Sequence, residues 1–131
     1  MQKGLLDTSV VIDWDDPTVA AALPEEAAVS AITLAEMAAG PHLAPSGSEA
    51  ARRQARLQQV EAMFEPLPFD AAAARSYGQI VAAVAEMGRS HRRRVADLLI
   101  AATAHANGLP VFTRNPDDFA GLSDLVNVVG I

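Results

Sequence analysis

The sequence predicts an α/β fold in which helices cover both faces of a short central parallel sheet, giving three layers. Short apolar runs that suit buried strands alternate with longer helical patterns, and this alternation is typical of a parallel sheet. The pattern over residues 92–107 is helical and apolar nearly all round, as expected of a central, buried helix. Half of the residues are hydrophobic but only 5% are aromatic, so the core must consist mainly of Ala, Val, Leu and Ile.

Capping residues and chain breakers set the expected limits of the elements. Pro17 suits the first turn of a helix, and Asp70 suits an N-cap. Gly88 and Gly108 suit helix ends. The predicted helices cover residues 10–12, 17–23, 33–40, 49–64, 71–87 and 92–107. The predicted strands cover residues 5–6, 27–32, 109–113 and 126–131, with a loop at 41–48, at most a short edge strand at 66–69, and a loop or helical turn at 114–119.

Length and composition exclude several classes of protein. At 131 residues the chain is expected to form one domain, residues 1–131, that buries most of its apolar surface. It has no cysteine, which excludes a disulfide framework and a thiolate zinc site and is typical of a cytoplasmic protein. No apolar segment approaches the length of a membrane span, and the N-terminal residues lack the apolar core of a signal peptide. We therefore expect no association with a membrane.

The charge of the chain leaves nucleic acid open as a partner. The net charge is −6, whereas phosphate binding usually shows as an excess of basic residues. However, Lys3 is the only lysine, so nearly all of the positive charge is arginine, whose guanidinium suits forked contacts to phosphate. The arginines are also clustered, within residues 52–56 and 89–94. An acidic protein whose carboxylates hold a metal ion can still bind phosphate through the metal.

Four places carry a carboxylate or an amide where the apolar pattern does not require one. Asp7 ends the first predicted strand, Glu36 lies in the helix after the second, and Asn115 and Asp118 follow the third. Asp97 lies inside the apolar helix, more than one turn past its expected start, where the effect of the helix dipole has faded. A charge there is unfavourable unless it is paired or bound to metal. For Asp97 we therefore favour a functional role.

The other polar positions have structural explanations when each is taken alone. Asp7 suits the N-cap of the following helix. Glu36 stands three residues after Thr33, which is the spacing of a capping box. Asn115 and Asp118 suit a turn. Each of these structural explanations stays open when its residue is considered alone.

Taken together, these positions predict one site. The ends of parallel strands face the same edge of a sheet, and ligands of open α/β sheets bind there. Asp7 and residues 113–118 should therefore converge, and Glu36 should join them because its helix starts at that edge. Several carboxylates packed together need a counter-charge, and hard oxygen ligands select Mg²⁺ or Mn²⁺. Such a site activates water and stabilises a phosphodiester during in-line displacement.

Four motifs make the sequence similar to a known family. They resemble the motifs of the PIN-domain ribonucleases, most closely those of the VapC toxins of bacterial VapBC toxin–antitoxin pairs. They occur in the family's order and span almost the whole chain, so the set is far more specific than any one of them. The motifs are LLDTSV at residues 5–10, SAITLAE at 30–36, RVADLLIAATA at 94–104 and TRNPDDF at 113–119.

The resemblance implies a PIN-like α/β/α sandwich and a Mg²⁺- or Mn²⁺-dependent endoribonuclease that cuts RNA, typically tRNA or ribosomal RNA. Asp7, Glu36 and Asp97 match the family's core acidic residues. By this resemblance Glu36 and Asp97 bind the metal directly or through water. With Asp7 assigned to the metal, Thr8 and Ser9 are expected to cap the first helix in its place.

The fourth acidic position departs from the family pattern. Many PIN domains have an aspartate two residues after the strand-ending Thr113, where this chain has Asn115. We predict that Asp118 supplies the missing carboxylate as a metal ligand or water-positioning residue, with Asn115 as a neutral partner and Asp117 as solvated surface. Ser9 and Thr113 match small hydroxyl positions near the family's site.

The resemblance also implies partners. A cognate VapB-like antitoxin would bind the protein and block the site, and a homodimer is the family's expected assembly. Arg114, Arg92, Arg93 and Arg94 are candidates for holding the RNA backbone, although the cluster equally suits a solvated helix start. Trp14 suits either an anchor for the antitoxin or a lid on the core.

Two other functions stay open, a housekeeping PIN nuclease in RNA processing and a non-catalytic PIN-like binding module. The sequence specifies neither the RNA target nor the number of metal ions.

Overall fold

The computed structural model describes residues 2–131 and shows a parallel sheet between two layers of helices. The strands are β1 (Lys3–Leu6), β2 (Glu26–Val29), β3 (Val111–Thr113) and β4 (Val128–Gly130). Within the described residues they lie in the order β2-β1-β3-β4, and every neighbouring pair is parallel. The predicted α/β fold with a short central parallel sheet is confirmed.

The helices have the following bounds. They are α1 (Thr8–Ile12), α2 (Pro17–Ala22), α3 (Ala31–Ala39), α4 (Gly47–Met63), α5 (Ala71–Glu86) and α6 (Val95–Asn107). Short 3₁₀ turns cover Gly40–Leu43, His91–Arg94 and Pro116–Phe119. In the part of the chain from residue 2 to 131, no helix is long and apolar enough to cross a membrane.

Several predicted boundaries are wrong, and capping explains the clearest case. The second strand ends at Val29 rather than at residue 32, because Ser30 is the N-cap of α3 and its hydroxyl accepts from the backbone N–H of Thr33 at 3.1 Å. Residues 41–48 are not one loop, since a 3₁₀ turn and the start of α4 lie within them. Residue Leu67, in the proline-rich stretch, forms a single parallel bridge to Ser30.

Alternation of side chains along the strands produces two cores, one on each face of the sheet. Leu5 packs in a cluster with residues of α5 and α6, whereas its neighbour Leu6 packs with residues of α1 to α4. Val111 and Phe112 of β3 divide in the same way. Six of the 13 residues of α6 are buried, which confirms the prediction of a central helix.

The sheet places a crevice between the ends of β1 and β3. The chain passes from β1 to β2 on one side and then crosses to β3 on the other side of β1. Open α/β sheets bind ligands at such a switch point, outside the carboxyl ends of the strands. Gly4 permits the close packing of these strands, because a Cβ there would lie 2.3 Å from the ring of Phe112. The residues that follow β1 and β3 therefore meet at this crevice.

Candidate active site

Asp7 follows β1 and is buried, with 3% of its surface exposed. Its backbone N–H donates to the carbonyl of Phe112 at 3.0 Å, which ties the end of β1 to β3. Its Oδ1 accepts from the Ser9 hydroxyl at 2.5 Å and from the backbone N–H of Val10 at 3.2 Å. Burial raises the pKa of Asp7, while hydrogen bonds from Ser9, Thr113 and Val10 offset part of the rise. The carboxylate is thus held in one place at the strand end.

Asp7 is also the N-cap of α1, because its side chain accepts from Val10 at the third helical position. The prediction that Thr8 and Ser9 take over this capping role is wrong, since α1 begins at Thr8 and both residues lie inside it. An ionised carboxylate has two oxygens and about four acceptor sites. Capping and a place in the site are therefore compatible in one side chain.

Ser9 and Thr113 connect Asp7 with the loop after β3. The Ser9 hydroxyl donates to Asp7 and accepts from the backbone N–H of Arg114 at 3.0 Å. Thr113 is fully buried, and its hydroxyl accepts from the backbone N–H of Asn115 at 3.0 Å. Asn115 itself is exposed. The two hydroxyls therefore fix where the loop leaves the sheet relative to Asp7.

Glu36 reaches the end of β1 through a threonine. Its Oε1 accepts from the hydroxyl of Thr8 at 2.6 Å, and the same hydroxyl lies 3.1 Å from the hydroxyl of Thr33. The capping-box explanation is wrong, because Ser30 caps α3 and Glu36 lies in the middle of that helix. Glu36 is exposed, so this contact is what orients its carboxylate.

Asp97 lies in the first turn of α6. The expectation that it stands more than one turn past the helix start is wrong, because residues 91–94 form a 3₁₀ turn and the α-helix begins at Val95. A carboxylate in the first turn is favoured by the helix dipole, typically by about 0.3–1 kcal/mol. The helix dipole therefore stabilises the carboxylate of Asp97, contrary to the expectation from the sequence.

The surroundings of Asp97 nevertheless oppose its ionisation. Burial raises the pKa of Asp97 to about 6, helped by the negative charges of Asp118, Asp7 and Glu36, while Arg94 acts in the opposite direction. Since the pKa ends above its ordinary value, burial and repulsion outweigh the dipole. The structure thus brings the four acidic residues within electrostatic reach of one another.

Asp118 and Asp117 differ in their contacts although they are adjacent. Asp118 is half-buried, and its Oδ1 lies 3.8 Å from Nε of Arg94. Asp117 is exposed, and its backbone carbonyl accepts from Nη1 of Arg94 at 3.0 Å. Arg94 therefore links α6 to the 3₁₀ turn, and it is the carboxylate of Asp118 that faces the site.

The other predicted RNA contacts occupy different positions. Arg92 and Arg93 are exposed on the 3₁₀ turn that precedes α6. The backbone of Arg114 lies at the site, but its Nη1 donates to Oδ2 of Asp13 at 2.7 Å. The side chain of Arg114 is therefore already engaged by a carboxylate in the turn after α1.

Trp14 packs on the second core rather than standing free. Its ring centroid lies 6.0 Å from that of Phe64, and the guanidinium carbon of Arg56 lies 4.9 Å from its centroid. The tryptophan is half-buried against the cluster that contains Leu6. This packing supports its interpretation as a lid on the core.

The donor set fits a hard divalent cation in kind, because it consists of carboxylate, hydroxyl and amide oxygens. Among residues 2–131, however, no three acidic or histidine side chains stand close enough together to hold a metal ion as they are. In this arrangement Glu36 accepts from Thr8, and Asp118 pairs with Arg94. The repulsion that raises the pKa of Asp97 is what a divalent ion at the crevice would relieve.

Sequence reasoning did not identify Thr8 as the partner of Glu36 or Arg94 as the partner of Asp118. Thr8 is predicted to be a capping residue, but a hydroxyl directly after the acidic residue that ends a strand also indicates a place near the site. The Arg94 contact joins residues 24 positions apart at a 3₁₀ turn, and its geometry depends on where α6 begins. Nothing in the local sequence reports that start.

The fold and the site define a class of protein, namely α/β proteins with an acidic, oxygen-donor site at the carboxyl edge of a parallel sheet. The sequence matches the PIN domain family over residues 4–125. Ribonuclease VapC5 of Mycobacterium tuberculosis is 40% identical over 127 residues, covering 95% of this chain and 91% of the relative. Ribonuclease VapC4 of the same organism is 35% identical over 131 residues, covering 95% of each chain. This chain belongs to the PIN-domain family, among its VapC ribonucleases.

Solved structures agree with this assignment. A member of the VapBC family of toxin–antitoxin systems, VapBC-5 from M. tuberculosis, aligns with a TM-score of 0.86 and 38% identity over 100% of both chains. FitAcB from Neisseria gonorrhoeae aligns with a TM-score of 0.77 and 34% identity over 95% of both chains. The predicted family, the PIN-like fold and the ribonuclease class are confirmed.

Proposed function

We propose that this protein is the toxin of a type II toxin–antitoxin pair, a cytoplasmic Mg²⁺- or Mn²⁺-dependent endoribonuclease that cleaves tRNA or ribosomal RNA. One observation carries the proposal. The charges of Asp7, Glu36 and Asp118 all act on Asp97 at the crevice between β1 and β3, where burial and repulsion raise its pKa to about 6. Such an arrangement is unstable without a counter-charge and suits a divalent cation. The relatives named as VapC ribonucleases support the same activity.

In this proposal Asp7, Glu36, Asp97 and Asp118 hold the metal. When bound, the ion polarises the scissile phosphate and lowers the pKa of the attacking water. Asp7 provides the fixed member of the set, because its hydrogen bonds leave its carboxylate one orientation. Glu36 and Asp118 are more exposed than Asp7 and would be the further carboxylates that hold the ion.

Neighbouring residues position this set in the proposal. Ser9 and Thr113 keep Asp7 aligned with the loop after β3, and Thr8 orients Glu36. Asn115 adds a neutral oxygen donor where many family members have a carboxylate. A neutral amide lowers the negative charge of the site, which favours one tightly bound metal ion over two.

The RNA backbone is proposed to lie along the arginine side of the site. Arg92, Arg93 and Arg94 directly precede α6 and Asp97. Arg114 follows β3 and would have to exchange its contact with Asp13 for one with the phosphate. Guanidinium groups bind phosphate oxygens in a forked geometry. These contacts would hold the strand while the acidic residues act on one phosphodiester.

Partners form part of the same proposal. The relatives solved as VapBC and FitAB complexes support a cognate VapB-like antitoxin that covers the site. A homodimer is also proposed, because the resemblance to this family implies one. Light scattering of the purified protein, alone and with the product of a small upstream gene, tests both partners.

The decisive experiment maps 5′ ends of cellular RNA after brief expression of the protein. We expect new, discrete ends in tRNA or ribosomal RNA that are absent when Asp97→Asn is expressed to the same level. Asp124→Asn, an exposed aspartate outside the site, is the matched control and should give the wild-type pattern. Ends that appear equally with Asp97→Asn would refute the assignment of the site.

Two measurements separate this proposal from the alternatives. Titration with Mn²⁺ in a calorimeter should give heat for the wild-type protein, whereas a non-catalytic binding module should give none. A housekeeping nuclease would leave growth unaffected when expressed without a partner. Growth arrest that is relieved by co-expression of the upstream gene supports the toxin.

A further inference from the structure

Two cavities border the acidic centre, and both contain arginines. The first, which we name the α4 groove, has a volume of about 470 Å³ and is lined by Thr8, Glu36, Met37, Arg52, Arg53 and Arg56. The second, which we name the arginine groove, has a volume of about 370 Å³ and is lined by Val84, Arg89, Arg93, Arg94, Leu98 and Asp118. Both volumes lie in the range of roughly 300–1,000 Å³ typical of ligand pockets. Volume therefore does not tell which of the two receives the RNA strand.

Each arginine of the α4 groove forms an ion pair with a carboxylate of the protein. Glu49 lies 2.5 Å from Nη2 of Arg52 and 3.2 Å from Nε of Arg53. Arg56 lies 2.5 Å from Oδ2 of Asp15. The Nη1 of Arg56 has no hydrogen-bond partner among residues 2–131, but this atom is buried and closed to a phosphate. A polyanion would therefore compete with these carboxylates for the guanidinium groups.

In the arginine groove, by contrast, most of the positive charge has no carboxylate partner among the described residues. Arg89 and Arg93 are exposed, and within the described residues neither forms an ion pair. Arg94 is engaged by Asp118 and by the carbonyl of Asp117. The groove thus presents two uncommitted guanidinium groups on its rim, while its third arginine anchors it to the acidic site.

The inner side of the arginine groove is apolar. Val84 and Leu98, which line it, are 6% and 2% exposed and belong to the core that packs on α5 and α6. An apolar surface beside charged donors suits the face of an unstacked base or the ribose, with the phosphate held at the rim. A base in a duplex does not offer that face.

We propose that the arginine groove binds the nucleotide next to the scissile phosphate of a single-stranded RNA. Arg89 and Arg93 hold its phosphate at the rim, and its base or ribose enters the groove, whose lining includes Val84 and Leu98. Asp118 and Arg94 line the groove and border the acidic centre, so a strand in the groove delivers its next phosphodiester to the carboxylates. This inference rests on the proposed ribonuclease function.

The test compares two double variants that each remove two arginines. Arg89→Ala/Arg93→Ala should raise KM for a single-stranded oligoribonucleotide by about tenfold or more and leave kcat near that of the wild type, because the phosphate loses its charged hydrogen bonds while the acidic centre is unchanged. Arg52→Ala/Arg53→Ala in the α4 groove should leave both constants near the wild type. The reverse ranking of the two variants would overturn the proposal.

Binding without cleavage gives an independent measurement. In EDTA, the anisotropy of the fluorescein-labelled oligoribonucleotide reports the association constant at several salt concentrations. Because the two arginines hold one phosphate, its loss should make the slope of log K against log salt shallower by about 0.7. An unchanged slope for Arg89→Ala/Arg93→Ala means that these arginines do not bind the strand.

Three controls keep the outcome readable. Both variants should melt near the wild-type temperature, and Arg89→Lys/Arg93→Lys, which keeps the charges, should bind better than the alanine pair. If the folded lysine pair binds no better, charge is not the basis of binding and the proposal is wrong.

A blunt RNA duplex should bind the wild type and the alanine pair alike. If the alanine pair loses as much affinity for the duplex as for the single strand, the assignment to single-stranded RNA is refuted. Failure of the wild type to cut RNA with Mg²⁺ or Mn²⁺ would instead refute the proposed function, while the measurement in EDTA still tests the groove.

Discussion

Asp7 and Asp97 belong to the same acidic centre, but their surroundings are of two kinds. Asp7 is buried at a strand end and accepts hydrogen bonds from Ser9 and Val10. Asp97 is half-buried, and in the described part of the chain its carboxylate accepts no hydrogen bond, while neighbouring acids raise its pKa to about 6. Hydrogen bonds within the fold therefore hold the carboxylate on the strand side, whereas on the helix side burial and neighbouring acids oppose the charge of Asp97.

The largest expected effect is on catalysis, because the proposed metal site needs carboxylates from both the strand side and the helix side of the centre. Asp7→Asn and Asp97→Asn should each lower kcat/KM for RNA by more than about 100-fold, because loss of even an outer partner of a metal site typically lowers affinity or activity by about 10–100-fold. Quantitative cleavage of a labelled RNA with Mg²⁺ measures this. Near wild-type activity of either variant would show that its carboxylate is not part of the metal site.

The two neighbouring aspartates of the 3₁₀ turn sharpen the comparison. Asp118→Asn should lower activity by about 10–100-fold, the range for residues that support a metal site. Asp117→Asn should stay close to the wild type, because its carboxylate is exposed and only its backbone contacts Arg94. Equal losses in the two variants would mean that the general charge of the turn matters and the position of Asp118 does not.

Thr8 tests whether Glu36 needs to be oriented. Thr8→Val keeps the shape of the side chain but removes the hydroxyl that donates to Glu36 at 2.6 Å, so activity should fall by about tenfold. Thr8→Ser restores a donor and should recover most of the activity. A serine variant as weak as the valine variant would show that packing, and not the hydrogen bond, explains the loss.

The smallest expected effect is on stability, and it has the opposite sign. The pKa of Asp97 is raised in the folded state, so the folded protein binds the proton more tightly and loses stability as pH rises from about 4 through about 6. In EDTA at pH 8, Asp97→Asn should therefore raise the free energy of unfolding by about 1 kcal/mol, after allowance for partial exposure to solvent. Urea unfolding at pH 8 and at pH 4 measures the difference, which should vanish at the lower pH.

Addition of Mg²⁺ should reverse that order. A ligand that binds only the folded state stabilises it in proportion to the logarithm of its concentration, so the wild type should gain stability with Mg²⁺ and Asp97→Asn should gain little. Equal gains in both proteins would place the ion elsewhere.

Much of the architecture was readable because it depends on local signals. Asp70 and Gly88 bracket α5 as capping chemistry requires, and the apolar run of α6 indicated a buried helix. The predicted limits of β2 and α6 are wrong because side-chain pattern does not report the type of backbone. At Ser30 the chain turns into α3 while the apolar pattern continues, and the polar residues 91–94 form a 3₁₀ turn directly before α6.

The sequence by itself determined the order of helices and strands along the chain, and it predicted that four acidic residues on those elements converge, since these follow from periodicity, capping and motif order. Only the tertiary structure decided which side chains meet. It paired Thr8 with Glu36 and Arg94 with Asp118, and it left Arg89 and Arg93 beside an apolar surface. These contacts join residues distant in the chain, and their existence depends on how the helices pack on the sheet, which no local pattern encodes.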